Sequence, residues 1–379
     1  MDLMEQVQNA INGNTIATEQ KTAENALTLG LGFHKFDGKV SVKEVMQQIG
    51  ADFNVSKEHL VRIPNDIYEE LTKNGSTLCA LNLSNLITSH CATVNTRDNN
   101  TLGIVGSDYG VIQNADGLNI LDLVTNSSVD GVDMRIVSAG LVHNSDPYVQ
   151  VEMPMMTNEL NRQVTHDNSP HKFYAFFHTS HDGSSGLKVS FSVVRVVCAN
   201  TFAANMRESN GFNVKHTKNA AIRVDLSKEA NIQRIKEIVT KFNLFSSEYI
   251  ERMNKMAQIK IDDKFINEFC TKLFINDEKM QDLARQYNYN FASSMLELPT
   301  RTQNTIKAFK DNLESGIGQD AVRGTKSWLW NGFTSFYSNV APFGNKQEAE
   351  SSRNAKRFDS IMNGSAQRKL NLAYEMLAA

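Results

Sequence analysis

Three consecutive stretches decide the architecture: Lys172-Phe-Tyr-Ala-Phe-Phe-His178, then His181-Asp-Gly-Ser-Ser-Gly186, then Leu187-Lys-Val-Ser-Phe-Ser-Val-Val-Arg-Val-Val-Cys198. Two runs of aromatic and β-branched residues flank a Gly- and Ser-rich turn, the pattern of a β-hairpin. In the second run Leu187, Val189, Phe191 and Val193 share one face, because side chains alternate along a strand. The apolar parity then passes to Val194, Val196 and Cys198. That shift predicts a bulge or a strand end buried on both faces.

Working outward, Val149, Val151 and Met153 alternate with Gln150 and Glu152 as in a half-buried strand. Residues 133–142 offer a further strand, and Thr101 to Ile112 one or two short ones. Helical spacing takes over after residue 225. Ile232, Ile235, Ile238, Val239 and Phe242 mark one helix, and Phe265, Phe269, Leu273 and Phe274 a second. Residues 301–315 and 347–377 read as two more. Helices are also expected at 41–49, 64–73 and 114–124. The predicted fold class is α+β: an antiparallel sheet core with packed helices, followed by a mostly helical C-terminal region. The predicted division is a small N-terminal α/β region at 1–85, the sheet core at 86–224 and the helical region at 225–379.

The chain of 379 residues carries 39 Lys+Arg and 42 Asp+Glu, a formal charge of −3. A broadly polycationic protein is excluded, but a local patch is not. Residues 1–224 hold 17 basic and 23 acidic residues, and residues 225–379 hold 22 and 19. No apolar run approaches the ~18 residues of a membrane span, and the polar, acidic N-terminus is unlike a secretory signal. No membrane partner is expected. Cys79, Cys91, Cys198 and Cys270 are scattered, with no CxxC pair, which argues against structural zinc and a disulfide framework. A reduced, cytoplasmic location is expected.

Few motifs carry catalytic chemistry. Gly103, Gly106 and Gly110 do not form GxGxxG, and neither a Walker sequence nor GxSxG occurs. No catalytic residue and no cofactor is expected. His178-Thr-Ser-His181-Asp182, with His166 and His171 upstream, has metal-ligand residue types. Two histidines three apart on a strand and turn converge poorly on one ion, so a polar hairpin turn is expected there. Asp98, Asp108, Asp116, Asp122, Asp130 and Asp133 lack nuclease spacing and are expected to be solvated at loops and helix edges.

The basic cluster is more informative. Arg195 stands on the otherwise apolar parity of its strand, and Asn200, Arg207, Lys215, His216, Lys218 and Arg223 follow. Segment 195–223 holds five Lys+Arg against one acid, Glu208. Such an edge can track phosphates, with Tyr109, Phe202 or Phe212 as stacking surfaces. The plainer alternative pairs Arg195 with Asp98 or another buried acid and makes Asn200 a helix N-cap. For Arg97 and Asp98 a local ion pair is expected. Trp328, Trp330, Phe333, Phe336 and Tyr337 are expected to be core, with a subunit contact as the alternative. Arg353, Lys356, Arg357, Arg368 and Lys369 suggest a solvated helix face, with phosphate contact second.

The order of local motifs resembles the phage/plasmid-like protein family, domain of unknown function 932. Leu31-Gly-Phe-His34 and Val40-Ser-Val-Lys-Glu44 are similar to its opening, with Phe33 where the family carries Trp. Thr96-Arg97-Asp98, Leu102-Gly-Ile-Val-Gly106 and Tyr109 resemble its central segment. Val196-Val-Cys-Ala-Asn-Thr201 resembles its signature strand end and Lys215-His216-Thr217-Lys218 its basic loop. Trp328 to Tyr337, then Arg353, Ser365 and Lys369, resemble its C-terminal part. The resemblance implies a phage or mobile-element setting beside recombination and replication. More distantly, the element order is similar to that of the phage single-strand annealing proteins: strand 102–112, helix 114–124, three antiparallel strands, then a helix from near Asn200.

The expected function is that of a non-enzymatic phage or mobile-element protein acting on DNA. It would bind or anneal single-stranded DNA in replication or recombination, in the host cytoplasm and in a homo-oligomer. The alternative is a phage protein that binds a host protein, as inhibitor or scaffold, without DNA contact. A metal-dependent enzyme built on the Asp and His residues is the third possibility.

Overall fold

The computed structural model describes residues 34–36, 40–65, 67–69, 85–119, 121–122, 134–143, 145–152, 162, 171–195, 200–204, 213–217, 228–290, 298–316, 320–362 and 364–378. The quoted hairpin is β7 (His171–His178) and β8 (Leu187–Arg195), paired antiparallel with Phe173 opposite Val193 and Phe177 opposite Val189. It lies within a seven-stranded sheet that also contains β1 (His34–Lys35), β5 (Arg135–Val142) and β6 (Asp146–Glu152). The order is β1-β5-β6-β7-β8-β10, with β9 (Asn200–Ala204) and β10 (Asn213–Val214) both on the outer edge of β8. A separate three-stranded sheet runs β2 (Val55–Val61), β3 (Leu86–Asn95), β4 (Thr101–Gly106). The sequence pattern missed β2 and β3.

The central strands are covered on both faces by helices. Phe173 and Phe191 share one face and meet Phe242 of α3 (Lys228–Met256) edge to face, at 6.4 and 5.5 Å between ring centroids. Tyr148 and Phe176, on the opposite face, meet Phe358 of α8 (Glu350–Met362) at 4.7 and 6.4 Å. Such a strand needs no polar alternation. This is why Phe173 to Phe177 are all buried, and why Val193 and Val194 are buried in succession. The parity shift marks a doubly covered strand, with no register break between β7 and β8.

Other expectations hold locally. Ser41 caps α1 (Val42–Ile49) in a capping box with Glu44, and buried Val42, Val45, Met46 and Ile49 recur at helical spacing. The C-terminal helices include α4 (Asp263–Phe274), α5 (Glu278–Gln286), α6 (Thr300–Ser315), α7 (Lys326–Ser335) and α9 (Ser365–Ala378). Trp328, Trp330, Phe333, Phe336 and Tyr337 are core residues, 0 to 8% exposed. One connected apolar cluster reaches from Val42 to Leu377. No helix among the described residues is long and apolar enough to cross a membrane.

Some expectations need correction. The helix expected from near Asn200 is a strand: Asn200–Ala204 pairs antiparallel with β8, Asn200 opposite Arg195. Its short run Thr201-Phe-Ala-Ala204 has no helical apolar stripe, and the sheet edge supplies its backbone partners. The single helix expected over 347–377 is two: α8 ends at Met362 and α9 begins at Ser365, just after Gly364. Of the helix expected at 114–124, α2 (Asn114–Leu118) is formed and residues 121–122 are helical, while residues 120 and 123–124 lie outside the described residues. Arg97 pairs with Asp52 at 2.8 Å and donates to the Gly50 carbonyl, whereas Asp98 accepts from the Asn100 amide. Of the helix expected at 64–73, residues 65 and 67–69 are helical, and residues 66 and 70–73 lie outside the described residues.

Candidate functional site

Strand pairing decides where the predicted basic residues go. Arg195 and Asn200 are directly opposite each other at one end of β8. At the other end Val214 lies opposite Leu187, and exposed Lys215 follows. The two positions are eight residues apart along β8, roughly 26 Å at strand rise. They therefore mark two ends of one sheet edge and do not form a single patch. Arg207, Lys218 and Arg223 lie outside the described residues, as do Phe212 and the side chain of Phe202.

His216 is built into the fold. It is buried and stacked on Tyr109, with ring centroids 4.9 Å apart. Its Nε2 is 3.0 Å from Thr179 Oγ1 and its Nδ1 3.1 Å from the Gly110 carbonyl. Burial holds its pKa below the usual histidine value. A neutral ring with both nitrogens engaged has nothing to offer a phosphate. Tyr109 is similarly committed: its hydroxyl donates to the Ser180 carbonyl. Of the C-terminal cations, Lys356 is paired with Glu348 at 2.6 Å. Arg357 donates to the Ala341 carbonyl, and Lys369 lies over Phe274.

A second constellation surrounds the β7–β8 turn. In an antiparallel meander the β5–β6 and β7–β8 turns lie at the same end of the sheet. Their polar sequences, His143-Asn-Ser-Asp146 and His178-Thr-Ser-His181-Asp182, therefore meet. With the α8–α9 junction they line a cleft of roughly 530 Å³. Asp146 comes from the first turn, Asp182 from the second and Asp359 from α8. Sequence reasoning weighed His178, His181 and Asp182 but missed His143, Asp146 and Asp359. The end-of-sheet coincidence of two polar turns is the signal that could have found the first two.

The carboxylates have different surroundings. Asp182 accepts from the Ser184 amide at 2.8 Å and the Ser180 hydroxyl at 2.9 Å. These bonds outweigh its burial and hold its pKa below the usual range. Asp146 is desolvated and faces the charges of Asp182 and Asp359, which push it up to about 7 despite the Ser145 hydroxyl. Asp359 sits 2.6 Å from His143 Nε2. His178 is 1% exposed and stacked on Tyr148, and burial keeps it neutral.

Behind the cleft, His181 joins the two sheets. Its Nε2 is 2.8 Å from Asn114 Oδ1, while its carbonyl accepts from Thr93 of β3 at 2.6 Å. Burial and the neighbouring His216 push its pKa down to about 4. Among the described residues no group of three or more His, Cys, Asp or Glu side chains is placed to hold a metal ion.

A model of the family described as Domain of unknown function (DUF932) matches residues 101–362, more than half of the chain. The match includes the outer edge of β8 and nearly the whole cleft wall. No curated protein and no solved structure matches the chain.

Proposed function

The chain belongs to the family described as Domain of unknown function (DUF932), and because that description names no activity, we propose a function from the molecule itself: it binds single-stranded DNA through the phosphate backbone, as a non-enzymatic phage or mobile-element protein of replication or recombination. The observation that carries this reading is the border of the large sheet where β9 and β10 pair with β8, with Arg195 opposite Asn200 at one end and exposed Lys215 at the other. Cationic positions spread along a strand edge suit an extended polyanion whose charges repeat along its length. Neither position contacts bases by necessity, so the binding is indifferent to sequence. The phage setting rests on the motif resemblance described above.

Titration of a labelled single-stranded oligonucleotide by fluorescence anisotropy tests the proposal. Binding is expected at low salt, falling as salt rises, and weakened in Lys215→Ala and Arg195→Ala. Each lost phosphate contact lowers the salt slope by about 0.7. No binding at low salt, or binding unchanged in both variants, rejects it.

One observation favours a host-protein partner instead. Of the five C-terminal cations, Lys356, Arg357 and Lys369 are engaged within the fold, which leaves a smaller positive face with Arg368 exposed. On that reading Arg195 and Lys215 substitutions are silent, and exposed acidic or apolar positions such as Ile104 matter.

A further inference from the structure

Arg353 and Arg357 stand one turn apart on α8, where side chains four positions apart share a face with Cβ atoms roughly 5–6 Å apart. Like charges at this spacing oppose helix formation, and a guanidinium drawn out of water is costly without a paired charge. Both arginines are only partly exposed, and neither has an ion pair among the described residues. Arg353 makes no side-chain hydrogen bond there either, and the Nε of each is closed off from solvent without an acceptor. The acids of the same stretch do not supply one. Glu348 holds Lys356 and Asp359 holds His143, each at 2.6 Å. Glu350 acts on Arg357 through space without forming an ion pair.

We propose that Arg353 and Arg357 together form a clamp for a phosphate group. Arg357 is already held in place: one Nη donates to the Ala341 carbonyl at 3.3 Å and the guanidinium lies over the Phe343 ring, 5.5 Å from its centroid. A guanidinium has five N–H donors, so that single bond leaves the others for a ligand. A carboxylate satisfies one guanidinium fork, whereas the oxygens of a phosphate can bridge two. Burial and the charge of Arg353 lower the pKa of Arg357, and an anion between the two heads offsets the second effect. The phosphate can belong to a nucleic-acid backbone or to a free phosphate compound. α8 packs against β9, one of the strands of the border proposed above for DNA, but the clamp does not depend on that reading.

Calorimetric titration of the full chain in low-salt chloride buffer with pyrophosphate, with oligothymidylate and with acetate tests the proposal. Saturable binding of pyrophosphate, oligothymidylate or both is expected, weakened about tenfold or more in Arg353→Gln, as for loss of a charged hydrogen-bond partner. Pyrophosphate binding shows that a free phosphate compound suffices, and oligothymidylate binding alone points to the nucleic-acid backbone. Arg353→Gln removes no hydrogen bond and relieves a repulsion, so its unfolding midpoint should equal or exceed the parent's. Arg353→Lys, which keeps the charge and loses the planar fork, should bind with intermediate affinity. The proposal is overturned if neither phosphate compound binds, if Arg353→Gln and Arg353→Lys bind as the parent does, or if acetate binds as tightly as pyrophosphate. Oligothymidylate binding that is lost in Lys215→Ala and kept in Arg353→Gln, with pyrophosphate inert, would uphold the sheet border and reject the clamp.

Discussion

His181 and Asn114 form a 2.8 Å hydrogen bond between the turn of the large sheet and the helix that follows the small one. The Asn114 amide nitrogen donates to the Ala51 carbonyl, so its oxygen accepts and His181 carries its proton on Nε2. Both residues are fully buried. The bond therefore connects three chain segments that are remote in sequence.

Asn114→Ala removes the acceptor and leaves the His181 N–H and the Ala51 carbonyl unsatisfied. A loss of about 1–3 kcal/mol is expected, read as a lower urea midpoint with an unchanged slope. An unchanged midpoint would show that the two sheets are joined by other contacts.

Acid should destabilise the protein through its histidines. The folded pKa of His181 is about 4, against an ordinary value of 6.5, and those of His178 and His216 are also lowered. Between pH 6.5 and 4 the unfolded chain binds protons that the folded chain refuses, so stability falls as pH falls through that window. His181 alone contributes on the order of 3 kcal/mol. Unfolding midpoints between pH 8 and 5 check this, and His181→Gln should flatten the profile.

Asp146 has the opposite sign. Its pKa is raised to about 7, so its stabilising contribution is complete below the ordinary carboxyl value of 3.8 and is lost as pH rises through 7. Asp146→Asn keeps an oxygen for the Ser145 hydroxyl and removes the buried charge. It should stabilise the protein by about 4 kcal/mol at pH 8, by less than half of that at pH 5, and have little effect at pH 3. Equal effects at all three pH values would show that Asp146 is not titrating in this range.

Gly103 of β4 allows the two sheets to touch. A Cβ there would stand 2.4 Å from the Asp182 Cα, backbone that cannot yield as a flexible side chain can. Gly103→Ala should cost about 1–3 kcal/mol. It should also disturb the cleft, visible as altered NMR shifts at Ser180 and Ser184.

Phe358 stacks edge-on against Tyr148 and lies near Phe176. Phe358→Ala should cost about 3–5 kcal/mol while leaving a single cooperative transition. Two separated transitions would mean that the C-terminal helices unfold independently of the sheet.

Residues 187–194 and the stripes of α1, α3 and α4 were legible because each buries apolar side chains at the period of its own backbone. β3 was not. Leu86-Ile-Thr-Ser-His-Cys-Ala-Thr-Val-Asn95 mixes polar residues into a strand whose second half is wholly buried. Its Thr93 is satisfied by the remote His181 carbonyl, which no local pattern announces. Asn200–Ala204 is too short to declare a period, so the available edge of β8 made it a strand.

The site divides along the same line. The residues by themselves determined the hairpin, the apolar helices and the excess of positive charge over 195–223. Only the tertiary structure decided that Arg195 and Lys215 stand at opposite ends of one edge and that His216 is buried and neutral. It also brought Asp146, Asp182 and Asp359, separated by as much as 213 positions, around one cleft. Periodicity is a local property set by backbone geometry. The charge state and partners of a side chain depend on burial and on neighbours, which strand order and helix packing supply only after the chain has folded.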